Sequence, residues 1–164
     1  SFSAEVPFLR PKEFAKDDSP GIDPVLHALE NISNVQDLIL LQPTSPLRKE
    51  FHIDDIFKLR KKCNVESAVS ISLSRKHIDL FFRVNSKLQI QPFSNNFKEL
   101  PRQKYEDLYT LNGSIYLSSK ESILKNQSLF SPRTVGYIMS EEYSIDIDNN
   151  FDWEIAEFLM KKLL

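Results

Sequence analysis

Glycine, cysteine and long apolar runs are what this chain has least of. Its 164 residues include three glycines, Gly21, Gly113 and Gly136. None falls in a glycine-rich turn between a strand pattern and a helix pattern, so no loop built to cradle phosphate with successive backbone N–H groups is visible. The single cysteine, Cys63, excludes an intrachain disulfide and makes a reducing, cytoplasmic setting the expectation. Apolar runs stop far short of the roughly 20 residues of a membrane-spanning helix, and the first residues lack the basic-then-apolar pattern of a signal peptide. Nor is there a basic block: 21 Lys and Arg against 23 Asp and Glu leave a net charge of −2. Neither nucleic acid nor a membrane is therefore expected as a partner. The three histidines, His27, His52 and His77, have no metal-ligand spacing, and no Ser/His/Asp or Cys/His cluster pairs a nucleophile with a base.

What is present is one domain's worth of chain with apolar content enough for a core. It opens at Ser1 on what reads as mid-domain sequence. The expectation is a single domain over 1–164, incomplete at its N-terminus. The stretch LILLQPTSPLR, residues 38–48, organises the rest. Four consecutive apolar residues leave no polar face, as in a central strand of a parallel α/β sheet covered on both sides. Pro43 and Pro46 then end the strand, and the loop leaving such a strand is where open α/β sheets place ligands. Gln42, Thr44, Ser45 and Arg48 are its polar groups; a connecting turn without further role is the plain alternative.

Elsewhere the pattern alternates helix and strand. Asp23 and Pro24 form an N-cap and first-turn pair for a helix that places Val25, Leu29 and Ile32 on one face. A helix over 53–63 has Asp54 and Asp55 at its start and Arg60, Lys61 and Lys62 at its end, both suited to the helix dipole. A strand fits 65–73. Residues 80–91 read as a hairpin turning at Asn85-Ser86, and 92–111 as a long loop. Short strands at 114–117 and 134–139 flank a helix near 119–126. A last helix from Phe151 to Leu164, capped by Asn150, is expected to turn Phe151, Ile155, Phe158, Leu159 and Leu163 inward.

The sharpest chemical signal is SIDIDNNFDWE, residues 144–154. In an extended segment Asp146 and Asp148 share one face about 7 Å apart. Two like charges so placed repel, and a divalent cation between them, Mg2+ sharing its shell with water and substrate phosphate, is the natural compensator. The alternative is a solvated acidic loop favouring the following helix N-terminus. Arg102 in the long loop has the geometry to grip a carboxylate or phosphate. Asn112 and Tyr116, in the NGSIY stretch, combine a turn with a strand entry. Arg10, between Leu9 and Pro11, is a surface arginine or a base or phosphate contact.

Taken together and in order, FLRPKEFAKD, LLQPTSPLR, RQ followed by NGSIY, and SIDIDNNFDWEIAE resemble the acylneuraminate cytidylyltransferases, the CMP-sialic acid synthetases, from about Val6 to Leu159. The resemblance implies an α/β fold: a Rossmann-like nucleotidyltransferase sandwich with a small β-hairpin dimerisation insertion at about 75–112, in a homodimer. It implies an enzyme that joins a nine-carbon 2-keto sugar acid (N-acylneuraminate, or a relative such as legionaminic or pseudaminic acid) to CMP, using CTP and Mg2+ and releasing pyrophosphate. By motif position Asp146 and Asp148 hold Mg2+, with Asp146 also near the sugar. Gln42, Asn112 and Tyr116 line the sugar pocket, and Phe130 is an apolar wall for the acylamino group. Arg102 reaches in from a dimer partner, and Arg10 sits near the cytosine. The family's N-terminal strand and triphosphate-gripping loop have no counterpart in these residues. Two alternatives therefore stay open: a non-catalytic nucleotide or sugar-acid binding module of the same fold, and the cytidylyltransferase for the eight-carbon sugar acid of lipopolysaccharide.

Overall fold

The longest strand holds the sheet together. In the computed structural model, which describes residues 4–16, 20–95 and 97–163 with the side chain of Arg102 set aside, β5 (Tyr109–Ser119) lies between β1 (Asp37–Leu41) and β2 (Ser67–Leu73). It is antiparallel to both, and β6 (Val135–Ile138) adds to β2 in parallel, giving the order β1-β5-β2-β6. Three strands thus run one way and β5 runs against them. A separate two-stranded ribbon, β3 (Phe82–Val84) with β4 (Ile90–Pro92), stands apart from this sheet.

Both faces of the sheet are covered, and the alternation of side chains along β1 shows how. Ile39 and Leu41 pack into a core of Ile56, Ala68, Ile115, Leu117 and Met139 on the side of α2 (Glu50–Cys63). Leu38 and Leu40 pack on the other side against Val25 and Leu29 of α1 (Asp23–Asn31) and Ile123 of α3 (Lys120–Asn126). The apolar run is a strand covered on both faces, as its composition implies, but it does not lie at the centre of a parallel sheet. β1 is antiparallel to its neighbour β5 and, among the described residues, lies at the sheet edge. Hydrophobicity reports which faces are covered; it carries no information about strand direction.

Local chemistry sets the helix ends. At the start of α2 the Nδ1 of His52 accepts the Lys49 N–H at 3.0 Å. At its end Asn64 adopts φ +50 and returns its N–H to Arg60 and Lys61, beside three basic residues in the last turn. The first helix begins one residue earlier than expected, with Ile22 rather than Asp23 at the cap position and Pro24 in the first turn. In α4 (Asn150–Leu163) the cap is Asn149, not Asn150: its Oδ1 accepts the N–H groups of Phe151 and Asp152 at 2.9 and 3.2 Å. The inward set also changes. Ala156 is buried and Ile155, Leu159 and Leu163 are half-buried, but Phe151 and Phe158 are 68% and 67% exposed. Apolar residues occupy more than one stripe of this helix, so periodicity alone admits more than one phase. Among the described residues no helix is long and apolar enough to cross a membrane.

The hairpin turn is longer than the two residues expected. Asn85 and Gln89 close it, with Leu88 at φ +62, and Asn85 Oδ1 accepts the N–H groups of Lys87 and Gln89. The long loop expected over 92–111 contains a short 3-10 turn, Arg102–Lys104, and the start of β5.

Candidate active site

The site is assembled around an irregularity in β5. Val69 of β2 stands opposite Tyr116, yet Ile71 stands opposite Leu111, so residues 112–115 of β5 face Ser70 alone. Such a bulge breaks the ladder and must be satisfied by side chains. Ser70 does this: its Oγ accepts the Ile115 N–H at 2.7 Å and donates to Asn112 Oδ1 at 2.6 Å. Gly113, inside the bulge, has φ +72. The NGSIY stretch, expected to be a turn entering a strand, is therefore a bulge within an eleven-residue strand.

Two other segments are tied to this bulge. Asn112, only 5% exposed, donates from Nδ2 to the Ser144 hydroxyl at 3.0 Å, while its Oδ1 also accepts the Ser114 N–H. Ser144 opens the irregular segment, with a bend at 148–149, that carries Asp146 and Asp148. On the far side of that segment the Ile147 N–H donates to the carbonyl of Thr44 at 2.9 Å. Thr44 belongs to the loop after β1, and that loop is fastened to the bulge by Arg48, whose Nη1 donates to Ser114 O at 2.8 Å and to Gln42 O at 3.2 Å. Burial pushes the Arg48 pKa below its ordinary value.

Gln42, Asn112, Tyr116, Asp146 and Asp148 thus sit on three segments linked by hydrogen bonds. Tyr116 is half-buried; burial first, and the charge of Asp146 second, raise its pKa, so the phenol stays protonated and able to donate. Phe130 meets Tyr116 edge to face at 6.2 Å between ring centroids. Arg10 lies elsewhere, on the rim of a cavity of about 570 Å3 bounded by β1, α1 and the 3-10 turn at Lys12–Ala15. Arg102 begins the 3-10 turn before β5, and its side chain lies outside the described residues. Sequence reasoning missed the work of Ser70 and Ser144. A serine inside a strand pattern carries no mark of the partner it will meet.

The fit of a cation rests on Asp146. Its Oδ1 is buried without a hydrogen-bond partner, a costly condition for a carboxylate oxygen unless something of positive character meets it. Asp148, two residues on, is exposed. The neighbouring Asp152 is already engaged, its Oδ2 accepting the N–H groups of Asp148 and Asn149 at 3.1 Å each. Among the described residues no group of three or more His, Cys, Asp or Glu side chains converges on a metal position. Two carboxylates suit an ion that completes its shell with water and phosphate oxygens, which is the habit of Mg2+.

No family model matches the chain. It is 34% identical over 145 residues to the N-acylneuraminate cytidylyltransferase of Streptococcus agalactiae serotype III, covering 88% of this chain and 35% of that protein. It is 30% identical over 155 residues to the enzyme of the same name from Escherichia coli O18:K1:H7, covering 94% of this chain and 37% of that protein. The chain thus spans about a third of the length of these relatives. Among solved structures, a CMP:2-keto-3-deoxy-manno-octonic acid synthetase complexed with CTP superposes with a TM-score of 0.60 at 14% identity, over 90% of this chain and 70% of that one, a likeness of fold. The CMP-N,N'-diacetyllegionaminic acid synthase of Legionella pneumophila is 33% identical over 171 residues, and the match takes in 98% of this chain and 71% of that protein. On that likeness, together with the sandwich fold and the linked site segments, the chain belongs to the acylneuraminate cytidylyltransferase family.

Proposed function

We propose that this chain carries the sugar-acid and metal side of an enzyme that transfers CMP from CTP to the anomeric hydroxyl of a nine-carbon 2-keto sugar acid. The observation that carries this is the buried, unpartnered Oδ1 of Asp146, held where the Asp-bearing segment meets both the loop after β1 and the bulge of β5. The anomeric oxygen forms its bond to the α-phosphorus as the bond from that phosphorus to the bridging oxygen breaks. The electron pair leaves with pyrophosphate, and the hydroxyl proton passes to water. Asp146 and Asp148 would hold Mg2+, which would supply charge neutralisation at the phosphate oxygens.

The chain's own residues position the acceptor. The side-chain amide of Gln42 and the protonated phenol of Tyr116 offer donors to the sugar acid, whose carboxylate needs them. Asn112 has one Nδ2 hydrogen beyond the one it gives to Ser144. Phe130, 39% exposed beside Tyr116, offers an apolar wall to an acylamino group. Arg10, on the rim of the cavity beside β1 and α1, is assigned the cytosine side, and the family resemblance alone assigns Arg102 to a site across a dimer. The homodimer itself is proposed from the β3–β4 ribbon. Phe81, Phe82, Val84, Ile90 and Phe93 are each at least 40% exposed there, and a two-stranded ribbon is marginal unless another surface covers it.

Pyrophosphate release with CTP, Mg2+ and N-acetylneuraminate or N,N'-diacetyllegionaminate tests the proposal, alongside Asp148→Asn. The expected result is turnover that falls at least ~100-fold in the variant, for loss of a transition-state charge contact. Equal rates for the two proteins would remove the metal assignment. A second reading is a non-catalytic nucleotide or sugar-acid binding module of the same fold. CTP with Mg2+ bound tightly by this chain, without product from any of the sugar acids, would favour it.

A further inference from the structure

Gly113 is the one described glycine with positive φ, at +72. It is also crowded in an unusual way. A β-carbon built on it would lie 2.8 Å from Asp146 Oδ2, 3.4 Å from its Cγ and 3.8 Å from its Oδ1. The first distance is well inside van der Waals contact. Gly136 is crowded as well, but by the Cδ1 end of Ile71, an apolar side chain with torsions to spare. Asp146 has less freedom. Its side chain is short, and the segment is held on both sides of it: Asn112 Nδ2 donates to the Ser144 hydroxyl at 3.0 Å, and Thr44 O accepts the Ile147 N–H at 2.9 Å. The bulge that contains Gly113 is itself held by Ser70 and Arg48. The carboxylate therefore rests against bare backbone, with Oδ2 over the glycine and Oδ1 left without a partner.

We propose that Gly113 is a positioning residue: the missing side chain forms the seat for Asp146 Oδ2 and thereby fixes how Asp146 presents Oδ1 to a divalent cation. The metal part of this rests on the cytidylyltransferase reading; the steric part stands without it. A β-carbon at 113 carries two separable penalties, the left-handed backbone and displacement of the carboxylate. Only the second depends on residue 146.

The experiment is a double-mutant cycle on the full chain with G113A, D146A and G113A/D146A. Urea unfolding and Mn2+ binding in the presence of CTP, followed by the Mn2+ electron paramagnetic resonance signal, are read for each protein. Expected is a clear fall in stability for G113A that is substantially smaller when the same change is made in the D146A background. Mn2+ affinity should fall at least tenfold in G113A, measured where the variant is still folded. If G113A alone fails to fold, recovery of folding in G113A/D146A supports the seat, and failure of both overturns it. Equal stability losses in the two backgrounds overturn the seat, and so does unchanged Mn2+ binding by a folded G113A. Should the unaltered chain bind no Mn2+ with CTP while the stability coupling is found, the seat stands and the metal reading falls.

Discussion

Ser70→Ala isolates the energetic basis of the bulge. Ser70 is 2% exposed, and its hydroxyl accepts the Ile115 N–H at 2.7 Å and donates to Asn112 Oδ1, which also accepts the Ser114 N–H. Removing the oxygen leaves one buried donor with nothing to bond and one buried acceptor half served. An unsatisfied buried group costs about 1–3 kcal/mol, so the loss should be about 2–3 kcal/mol. For a chain of this size that is a fall in Tm of very roughly 4–12 °C. The vacated space is about one oxygen atom, too small for a water to take over the bonds. Ser67 and Ser118 supply the control. Their hydroxyls are paired at 2.7 Å and buried, and removing both ends together leaves nothing orphaned. Ser67→Ala/Ser118→Ala should therefore cost less than about 1 kcal/mol. Urea unfolding with unchanged m-values reads both. A Ser70→Ala loss under about 0.5 kcal/mol, or one no larger than that of the paired control, would refute the claim that this hydroxyl holds the bulge.

Two further outcomes follow from other parts of the molecule. Replacing Phe82 and Val84, exposed on the β3–β4 ribbon, with aspartate is expected to convert the proposed homodimer to monomers without moving the far-ultraviolet circular dichroism of the sheet; sedimentation velocity reads the change, and a dimer in the variant would place the interface elsewhere, while a monomer before substitution would remove the dimer proposal. His52 is 3% exposed, and burial, the largest of its influences, lowers its pKa despite the opposing pull of Asp55. A depressed folded pKa means the unfolded chain binds the proton more readily, so this stabilisation is complete above the ordinary imidazole range near 6.5 and is lost as pH falls through the lowered value. Unfolding midpoints taken from pH 8 to pH 5 should fall less steeply for His52→Asn, whose amide oxygen can still accept the Lys49 N–H; parallel slopes would remove His52 as the cause.

Much of the site was legible as a set of residues before it was legible as a place. The acidic pair at 146 and 148 and the QPTSP loop stand out because paired carboxylates and paired prolines are locally unusual. Their junction, the Ile147 N–H on the Thr44 carbonyl, joins positions about a hundred residues apart in the chain, and no local pattern encodes it. Phe151 and Phe158 show the converse. Their apolar character is obvious in the sequence, but which stripe of α4 turns inward is settled by the surface it meets, and both face outward.

By itself the sequence determined which segments could be covered, which could turn and which chemistry was available. Leu38 to Leu41 must bury both faces wherever they lie, and Pro43 must end the strand. What only the tertiary structure decided is the direction in which β5 crosses between β1 and β2, the bulge at 112–115, and the seat of Asp146 against Gly113. The physical reason is range. Periodicity and capping act over a few neighbouring residues, whereas the bond from Ser70 to Asn112 spans 42 positions and exists only once two strands have chosen their register.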